Sequence, residues 1–181
     1  VGESFKIEMF AGEAYQMKVI SNNVSIHLAD KGMGSIQVML LIMRIACVLR
    51  RINNESKQIR AYGLEDFTTL IIEEPELALH PALQSQLVNL FLEVNSVYGI
   101  RFIVETHSEY LIRRSQVLVA ENEFEKKPNE NPFSVIYFTT EKELNHYRIN
   151  YDEDGIFDKN FGNGFFDEAA SSTLELLKLK R

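Results

Sequence analysis

The sequence predicts an α/β protein with a mostly parallel sheet flanked by helices. Two apolar runs, at residues 67–74 and 101–106, are typical of buried strands, and segments of helical spacing follow them at residues 83–98 and 108–119. Strands that alternate with helices are joined by right-handed crossovers and lie parallel in one sheet. A chain of 181 residues is long enough to form a substantial core.

The N-terminal part of the chain carries a hairpin and a long apolar helix. Alternating polar and apolar residues at 15–20 and 24–28, separated by residues 21–23, predict the hairpin. Residues 36–52 are apolar on nearly every side, which is typical of a helix buried in a core. Cys47 falls within this run, so we expect a buried and reduced thiol.

The remaining segments complete the predicted pattern. The sequence predicts loops at residues 53–66 and 121–132, strands at 134–138 and 147–151, a turn at 152–155 and a terminal helix at 165–179. Gly99 is predicted to end the helix before it, because glycine readily adopts the left-handed conformation of a helix C-cap.

Composition limits the classes of function that the chain can have. The formal net charge is −7, so the chain lacks the basic surface typical of proteins that grip nucleic acid by themselves. No apolar run reaches the length expected of a membrane span, and no signal peptide is visible. These features predict a cytoplasmic protein without a membrane partner.

Two adjacent carboxylates, Glu73 and Glu74, follow the first buried strand, which Pro75 ends. Carboxylates at the end of a buried strand are costly without a partner, and nucleotide-bound Mg²⁺ is a usual one. Hydrolysis of a γ-phosphate needs metal neutralisation and a residue that orients water, so we assign Glu73 to Mg²⁺ and Glu74 to the water. The simpler alternative is a pair of solvated glutamates at the boundary between a strand and a turn.

His107 stands at the corresponding place after the next strand, in the stretch of residues 105–109. A histidine there can hydrogen-bond a γ-phosphate oxygen and respond to its loss. The alternative is a polar group that is satisfied within the fold. Ser108 is predicted to cap the following helix whatever the function.

A glycine loop at residues 30–37 opens the long apolar helix. Gly32 and Gly34 precede the predicted helix N-terminus, where free backbone N–H groups and the helix dipole favour an anion. Ser35 is predicted to cap this helix. The loop is not a P-loop, because Gly-x-x-x-x-Gly-Lys-Ser/Thr occurs nowhere in the chain. A tight turn into a core helix explains the same glycines.

In chain order, the glycine loop, the strand with paired glutamates and the strand with a histidine resemble the C-terminal half of an ABC-type ATPase head. The closest resemblance is to the RecF-like and overcoming-lysogenisation-defect-like ATPases of the bacterial AAA-type group. Their Walker B region is similar to residues 70–81, their switch histidine to His107 and their signature loop to residues 30–37. Residues 164–168 resemble part of a small C-terminal domain found in one subgroup.

This resemblance implies a P-loop NTPase-like C-terminal lobe at residues 1–120, followed at 121–181 by a last core strand and a small extension. It further implies that two heads, most simply a homodimer, sandwich ATP and Mg²⁺. The implied roles are metal binding by Glu73, catalysis by Glu74 and His107, and nucleotide contacts by Gly32, Gly34, Ser35, Gln37 and His80. Such ATPases often act in bacterial DNA transactions or phage defence, with DNA or a nuclease as partner.

The chain departs from the family pattern in three respects. Glu73 stands where aspartate is commonest in the wider ABC superfamily, and the signature loop lacks the Leu-Ser-Gly-Gly pattern. The Walker A loop and the adenine-binding elements are missing, and we expect them before Val1. The chain alone is therefore expected to bind ATP poorly.

Three other functions fit the same residues. A nucleotide-binding switch or scaffold would retain Glu74 without turnover. A metal-dependent hydrolase would use Glu73, Glu74, His80 and His107 directly, whereas an interaction domain would tolerate alanine at all four positions. The spacing of Glu76 and His80 also suggests zinc, but His-Glu-x-x-His and a cysteine pair are both absent from the sequence.

Overall fold

The computed structural model describes residues 4–10, 12, 14–59, 68–121, 131–139 and 145–179. The chain divides into two compact units, Val1–Ser108 and Glu109–Arg181, and each is described by itself. Most of two predicted loops, at residues 60–66 and 122–130, lies outside the described residues.

The elements of the first unit are β1 (Ser4–Phe10), β2 (Ala14–Ser21), β3 (Val24–His27), a short 3-10 helix (Leu28–Lys31), α1 (Met33–Ile59), β4 (Thr69–Glu73), α2 (Pro81–Tyr98) and β5 (Arg101–Glu105). The elements of the second unit are α3 (Glu109–Glu121), β6 (Val135–Phe138), β7 (His146–Ile149) and α4 (Glu168–Leu179). The predicted order of strands and helices from residue 67 onward is confirmed.

The N-terminal strands form an antiparallel sheet in the order β1, β2, β3. The predicted hairpin is confirmed as β2 and β3, and its turn residues Asn22 and Asn23 have φ values of 50° and 61°. Asparagine tolerates this left-handed conformation, which matches the twist of a two-residue hairpin. The strand β1, which the sequence pattern did not predict, pairs with β2 along its whole length.

Glu8 on β1 lies between two lysines. Lys18 Nζ is 2.7 Å from Glu8 Oε2, and Lys6 Nζ is 2.8 Å from Glu8 Oε1. The hydrogen bond from Lys18, followed by that from Lys6, lowers the pKa of Glu8 to about 2. The carboxylate is therefore ionised throughout the physiological range, and it joins β1 to β2 on a face of the sheet that water reaches.

The helix α1 is longer and more exposed than the sequence predicted. It continues to Ile59, through residues that were predicted as a loop. Ile45 and Val48 are buried, but Leu40 is about half exposed and Cys47 is exposed. The predictions of a buried helix and a buried thiol are therefore wrong, because an apolar composition on all sides does not show how many sides are covered.

One stretch of α1, Met33–Ile52, is long and apolar enough to cross a membrane by length and composition. This corrects the expectation that no run in the chain reaches that length. Core helices of soluble proteins pass the same test, so the observation is weak evidence for a membrane span.

The strands β4 and β5 pair in parallel, as predicted, with Leu70 opposite Phe102 and Ile72 opposite Val104. In the described part of the chain the strands form three separate sheets, of which β4–β5 is parallel and the other two are antiparallel, so the predicted α/β class with a parallel sheet is supported but most of the strand pairs are antiparallel. A two-residue turn, Asn22 and Asn23, joins β2 to β3, and so short a turn connects only antiparallel neighbours.

One face of the β4–β5 pair packs on helices and the other is open. Leu70, Ile72, Phe102 and Val104 face the core with residues of α1 and α2, and the rings of Phe91 and Phe102 lie 4.8 Å apart. On the opposite face Ile71 is 72% exposed and Ile103 is 57% exposed. Strands alternate their side chains between the two faces, so this open face is the one that also carries Glu73 and Glu105.

The residues at the two ends of α2 fix where this helix begins and where the next strand starts. Pro81 occupies its first turn, where the missing N–H costs nothing, and Gly99 ends it in the predicted left-handed conformation with φ 68°. Ile100 follows and is completely buried. The chain thus turns sharply from α2 into β5.

The second unit is held by β6, β7 and a set of aromatic rings. The two strands are antiparallel, and Ile149 is 1% exposed. The predicted turn is confirmed by a hydrogen bond from the Gly155 N–H to the Asp152 carbonyl. The rings in mutual contact are Tyr137, Tyr147, Tyr151, Phe157, Phe161, Phe165 and Phe166. The terminal helix begins at Glu168, three residues later than predicted, and has no buried residue.

Candidate functional site

The candidate site lies at the carboxyl ends of β4 and β5. The parallel register places Glu73 directly opposite Glu105, and both side chains are exposed. The Glu74 N–H donates to the Glu105 carbonyl over 2.9 Å, so the strand pairing continues one residue beyond β4. His107 follows on the loop after β5. Carboxyl ends of adjacent parallel strands are where α/β proteins commonly bind ligands.

Glu74 and His107, the two predicted catalytic residues, are brought together. Glu74 Oε1 lies 3.7 Å from His107 Nε2, and Glu105 Oε1 lies at the same distance from that nitrogen. The imidazole is 67% exposed and the Glu74 carboxylate 46%, so both are open to solvent and to a ligand. A protonated imidazole in this position forms an ion pair with either carboxylate.

The backbone of Glu74 is in the left-handed region, with φ 43°. This conformation costs a residue with a Cβ on the order of 1–3 kcal/mol, and such strain is concentrated at functional sites. It turns the chain out of β4 at the residue that carries the proposed water-orienting carboxylate. The strain is therefore located at the residue to which the sequence assigns chemistry.

Two consecutive turns connect Glu74 to α2. The Leu77 N–H donates to the Glu74 carbonyl over 3.1 Å, and the Leu79 N–H donates to the Glu76 carbonyl over 3.0 Å. Pro75 suits the second position of the first turn, because its ring fixes φ near the required value, and it is fully buried. Ala78, with φ 60°, occupies the third position of the second turn, which usually favours glycine.

Glu76 is a residue of the site that sequence reasoning considered only as a zinc ligand. It is 8% exposed, and its Oε1 atom accepts hydrogen bonds from Thr106 Oγ1 at 2.6 Å and from the His107 N–H at 2.9 Å. Glu105 was also missed as a site residue. The signal for Glu105 was its position at the strand end just before His107, whereas nothing in the sequence indicated that Glu76 is buried.

His80 has a local structural role in the first unit. It is the N-cap of α2, where its Nδ1 accepts a hydrogen bond from the Ala82 N–H over 3.3 Å. One imidazole nitrogen is thereby used by the helix. The nucleotide contact that the resemblance implies for His80 remains a prediction.

The glycine loop differs from its predicted form. The helix α1 begins at Met33, and the Ser35 N–H donates to the Gly32 carbonyl over 3.1 Å within its first turn, so the prediction that Ser35 caps this helix is wrong. Gly32 has φ 89° and ends the 3-10 helix. Gly34 lies against the Ala78 carbonyl, a close approach that only a residue without a side chain permits.

A cavity of about 280 Å³ lies between α1 and β4 and brings Gln37 together with Glu73. Its lining residues are Gln37, Leu40, Leu41, Arg44, Ile71, Ile72, Glu73 and Pro75. The volume is just below the range of roughly 300–1,000 Å³ that is typical of ligand pockets. Within the described part of the chain, the lining of this cavity includes one cationic side chain, Arg44, and one anionic side chain, Glu73.

The donor set at this edge fits a nucleotide-bound Mg²⁺. In nucleotide sites Mg²⁺ takes one or two carboxylates and completes its shell with phosphate oxygens and water. Glu73 is an exposed carboxylate of this kind at a strand end. Among the described residues no group of three or more His, Cys, Asp or Glu side chains is arranged to hold a metal, so the four-residue centre of the metal-dependent hydrolase is not present there.

Paired carboxylates and a histidine at the carboxyl ends of parallel strands are polar groups at the edge where α/β domains commonly bind ligands. The family model for the AAA ATPase domain matches residues 2–112, and the chain belongs to that family. Membership supports ATP binding and ATPase activity in general terms, and domains of this family are typically soluble. Comparisons with curated proteins and with solved structures gave no match.

Proposed function

We propose that this protein hydrolyses ATP with Mg²⁺ at an interface between two ATPase heads. The observation that carries the proposal is the 3.7 Å approach of Glu74 and His107 at the end of a parallel strand, next to Glu73. Hydrolysis of a γ-phosphate needs a carboxylate that binds the metal, a residue that orients water and a group that contacts the phosphoryl oxygens. These three side chains come from two neighbouring strand ends and supply each of those roles.

In this proposal each side chain has one task. Glu74 accepts a proton from the attacking water, with its carboxylate directed outward by the left-handed backbone. Glu73 holds Mg²⁺, and the negative charge of Glu105 opposite it favours a cation at this edge. When bound, Mg²⁺ supplies neutralisation of phosphate oxygen charge. His107 donates a hydrogen bond to the phosphate and, after phosphate loss, returns to Glu74 or Glu105.

The proposal requires a phosphate-cradling loop from another segment or another chain, because these 181 residues contain no Walker A pattern. The open face of the β4–β5 pair supports a further layer. Parallel sheets are normally covered on both faces, yet Ile71 and Ile103 are more than half exposed. The small cavity beside Glu73 likewise supports a site that a second element completes.

The resemblance to RecF-like and overcoming-lysogenisation-defect-like ATPases supports the biological part of the proposal. We place the protein in the bacterial cytoplasm, as a homodimer in a DNA transaction or in phage defence. The net charge of −7 indicates that DNA, if bound, is held by another part of the assembly or by a nuclease partner.

The test is Mg²⁺-ATP turnover by the full-length protein, with oligomeric state followed by light scattering in the same samples. Wild type is compared with Glu74→Gln, which keeps the shape of the side chain and removes its basicity. Glu93→Gln is the matched control, because Glu93 is an exposed glutamate on α2 away from the site.

We expect turnover in wild type and in Glu93→Gln, and a loss of 100-fold or more, on the order of a general-base effect, in Glu74→Gln. An ATP-bound dimer should accumulate in that variant. Unchanged turnover in Glu74→Gln would reject Glu74 as the base. ATP-dependent dimerisation without turnover in any sample would instead favour the non-hydrolysing switch.

A further inference from the structure

We propose that Glu76 is a positioning residue of this site, which holds the loop after β5 so that His107 stays beside Glu74. The inference rests on the proposed ATPase function for the reaction that it serves. Glu76 does not touch the reacting groups in this assignment. It acts through the backbone of His107.

The contacts of Glu76 join two segments that are distant in sequence. Its Oε1 atom accepts from the Thr106 hydroxyl at 2.6 Å and from the His107 N–H at 2.9 Å. Glu76 belongs to the turn that begins at Glu74, and Thr106 and His107 belong to the loop after β5. One carboxylate oxygen thus ties the segment that carries Glu74 to the loop that carries His107, beyond the point where the hydrogen bond from the Glu74 N–H to the Glu105 carbonyl ends the strand pairing.

The His107 side chain depends on this backbone contact for its position. The imidazole is 67% exposed, so solvent rather than a packed core surrounds most of it. The hydrogen bond from the His107 N–H to the buried Glu76 Oε1 atom therefore holds the main chain from which this side chain projects. The position of the main chain in the loop therefore contributes to the 3.7 Å approach of His107 to Glu74.

The other carboxylate oxygen of Glu76 makes this residue energetically costly to bury. Glu76 is only 8% exposed. In the described part of the chain its Oε2 atom is buried without a hydrogen-bond partner. An unsatisfied buried polar atom costs roughly 1–3 kcal/mol. Stability alone is therefore a poor explanation for a glutamate at this position.

A second connection keeps the loop attached to α2 if Glu76 is removed. Ser108 Oγ donates to Gln84 Oε1, and Gln84 Nε2 donates to the Leu79 carbonyl over 2.9 Å. The Ser108 N–H also donates to Thr106 Oγ1 over 3.0 Å. Variants of Glu76 should therefore fold, with the loop tied to α2 and released only from the turn.

The kinetic test uses the full-length protein with Glu76→Ala and Glu76→Gln, beside Glu93→Ala as an exposed control. We expect Glu76→Ala to lower kcat about 10- to 100-fold, because a displacement near 1 Å costs about that much. KM for Mg²⁺-ATP should stay within about twofold, since the weakened contact, from His107 to the reacting phosphate, is one of several nucleotide contacts and the others are kept. Glu76→Gln should retain most of kcat, because its amide oxygen still accepts both hydrogen bonds.

A hydrogen-exchange measurement tests the tether without any turnover. Amide exchange at residues 105–109 should become faster in Glu76→Ala than in wild type, while Glu76→Gln and Glu93→Ala should match wild type. Unchanged exchange in Glu76→Ala would overturn the proposal, as would a loss that appears in KM rather than in kcat.

The two proposals fail in distinguishable ways. Turnover that Glu74→Gln abolishes and Glu76→Ala leaves intact would overturn the role of Glu76 and leave the ATPase standing. Absence of turnover in wild type would overturn the proposed function, and the catalytic part of this inference with it.

Discussion

A Cβ atom at Gly34 would lie 2.5 Å from the carbonyl oxygen of Ala78 and 3.2 Å from Cδ2 of Leu79. The first turn of α1 therefore touches the turn after β4 through bare backbone. The glycine loop and the carboxylate-bearing turn, which lie far apart in sequence, meet at this point. Gly34 thus has a packing role in addition to the phosphate contact that the sequence suggests.

Replacement of Gly34 by alanine should destabilise the first unit. The new methyl group collides with backbone rather than with a flexible side chain, so either α1 or the turn after β4 has to shift. Overpacking of this kind costs about 1–3 kcal/mol, which outweighs the roughly 1 kcal/mol that alanine gains in helix propensity. The free energy of unfolding in urea measures the effect. Ser35→Ala, one residue further along the same turn, should change it by less than about 0.5 kcal/mol.

Ala78→Gly should leave the first unit equally stable or make it more stable. Alanine at φ 60° pays about 1–2 kcal/mol for the left-handed conformation, whereas glycine pays about 0.5–1 kcal/mol of extra chain entropy. The urea midpoint should therefore rise or stay constant. Ala46 is exposed to solvent in the middle of α1, away from the helix ends. Ala46→Gly should lower the free energy of unfolding by about 1 kcal/mol, with a matching fall in the urea midpoint. A comparable fall in both variants would contradict the assignment of strain to Ala78.

Tyr151 should make the second unit sensitive to alkaline pH. Burial raises the pKa of Tyr151 to about 12, against the opposing effect of its 2.8 Å hydrogen bond with Ser115. Because the folded-state pKa lies above the unfolded value, neutral Tyr151 contributes stability that is fully present below about pH 10. That contribution, about 2–3 kcal/mol, is lost as pH rises toward and through 12.

The measurement for Tyr151 is the free energy of unfolding at pH 8 and at intervals up to pH 12. Tyr151→Phe should cost about 1 kcal/mol at pH 8 and should lose less stability at higher pH. Ser115 keeps its bond to the Ile112 carbonyl in that variant. Tyr98→Phe, at an exposed ring of α2, is the control and should follow wild type. Parallel curves for wild type and Tyr151→Phe would reject the prediction.

The sequence predicted elements whose signals are local. Periodicity located β4, α2 and β5, and glycine chemistry located the end of α2 at Gly99. The approach of Glu74 and His107 was also predictable, because neighbouring parallel strands end at the same edge. Each of these inferences needs only the chain within a few residues and one rule of sheet topology.

Features that depend on contacts distant in sequence were not predictable in this way. The exposure of Cys47 depends on how many faces of α1 are covered, which composition does not encode. The burial of Glu76 depends on Thr106 and His107, some thirty residues along the chain. The role of Gly34 depends on Ala78. In each case the deciding partner is specified only once the chain has folded.

The register of β4 against β5 sets the core and the chemistry of this edge together. Leu70 opposite Phe102 and Glu73 opposite Glu105 belong to the same pairing. A slip of one residue in either strand would turn that strand's core-facing side chains outward and carry its terminal glutamate into the interior, where a lone carboxylate is strongly disfavoured. A mispaired form of this sheet would therefore be too unstable to persist as a folded protein. Molecules that do fold should present these carboxylates in a single arrangement.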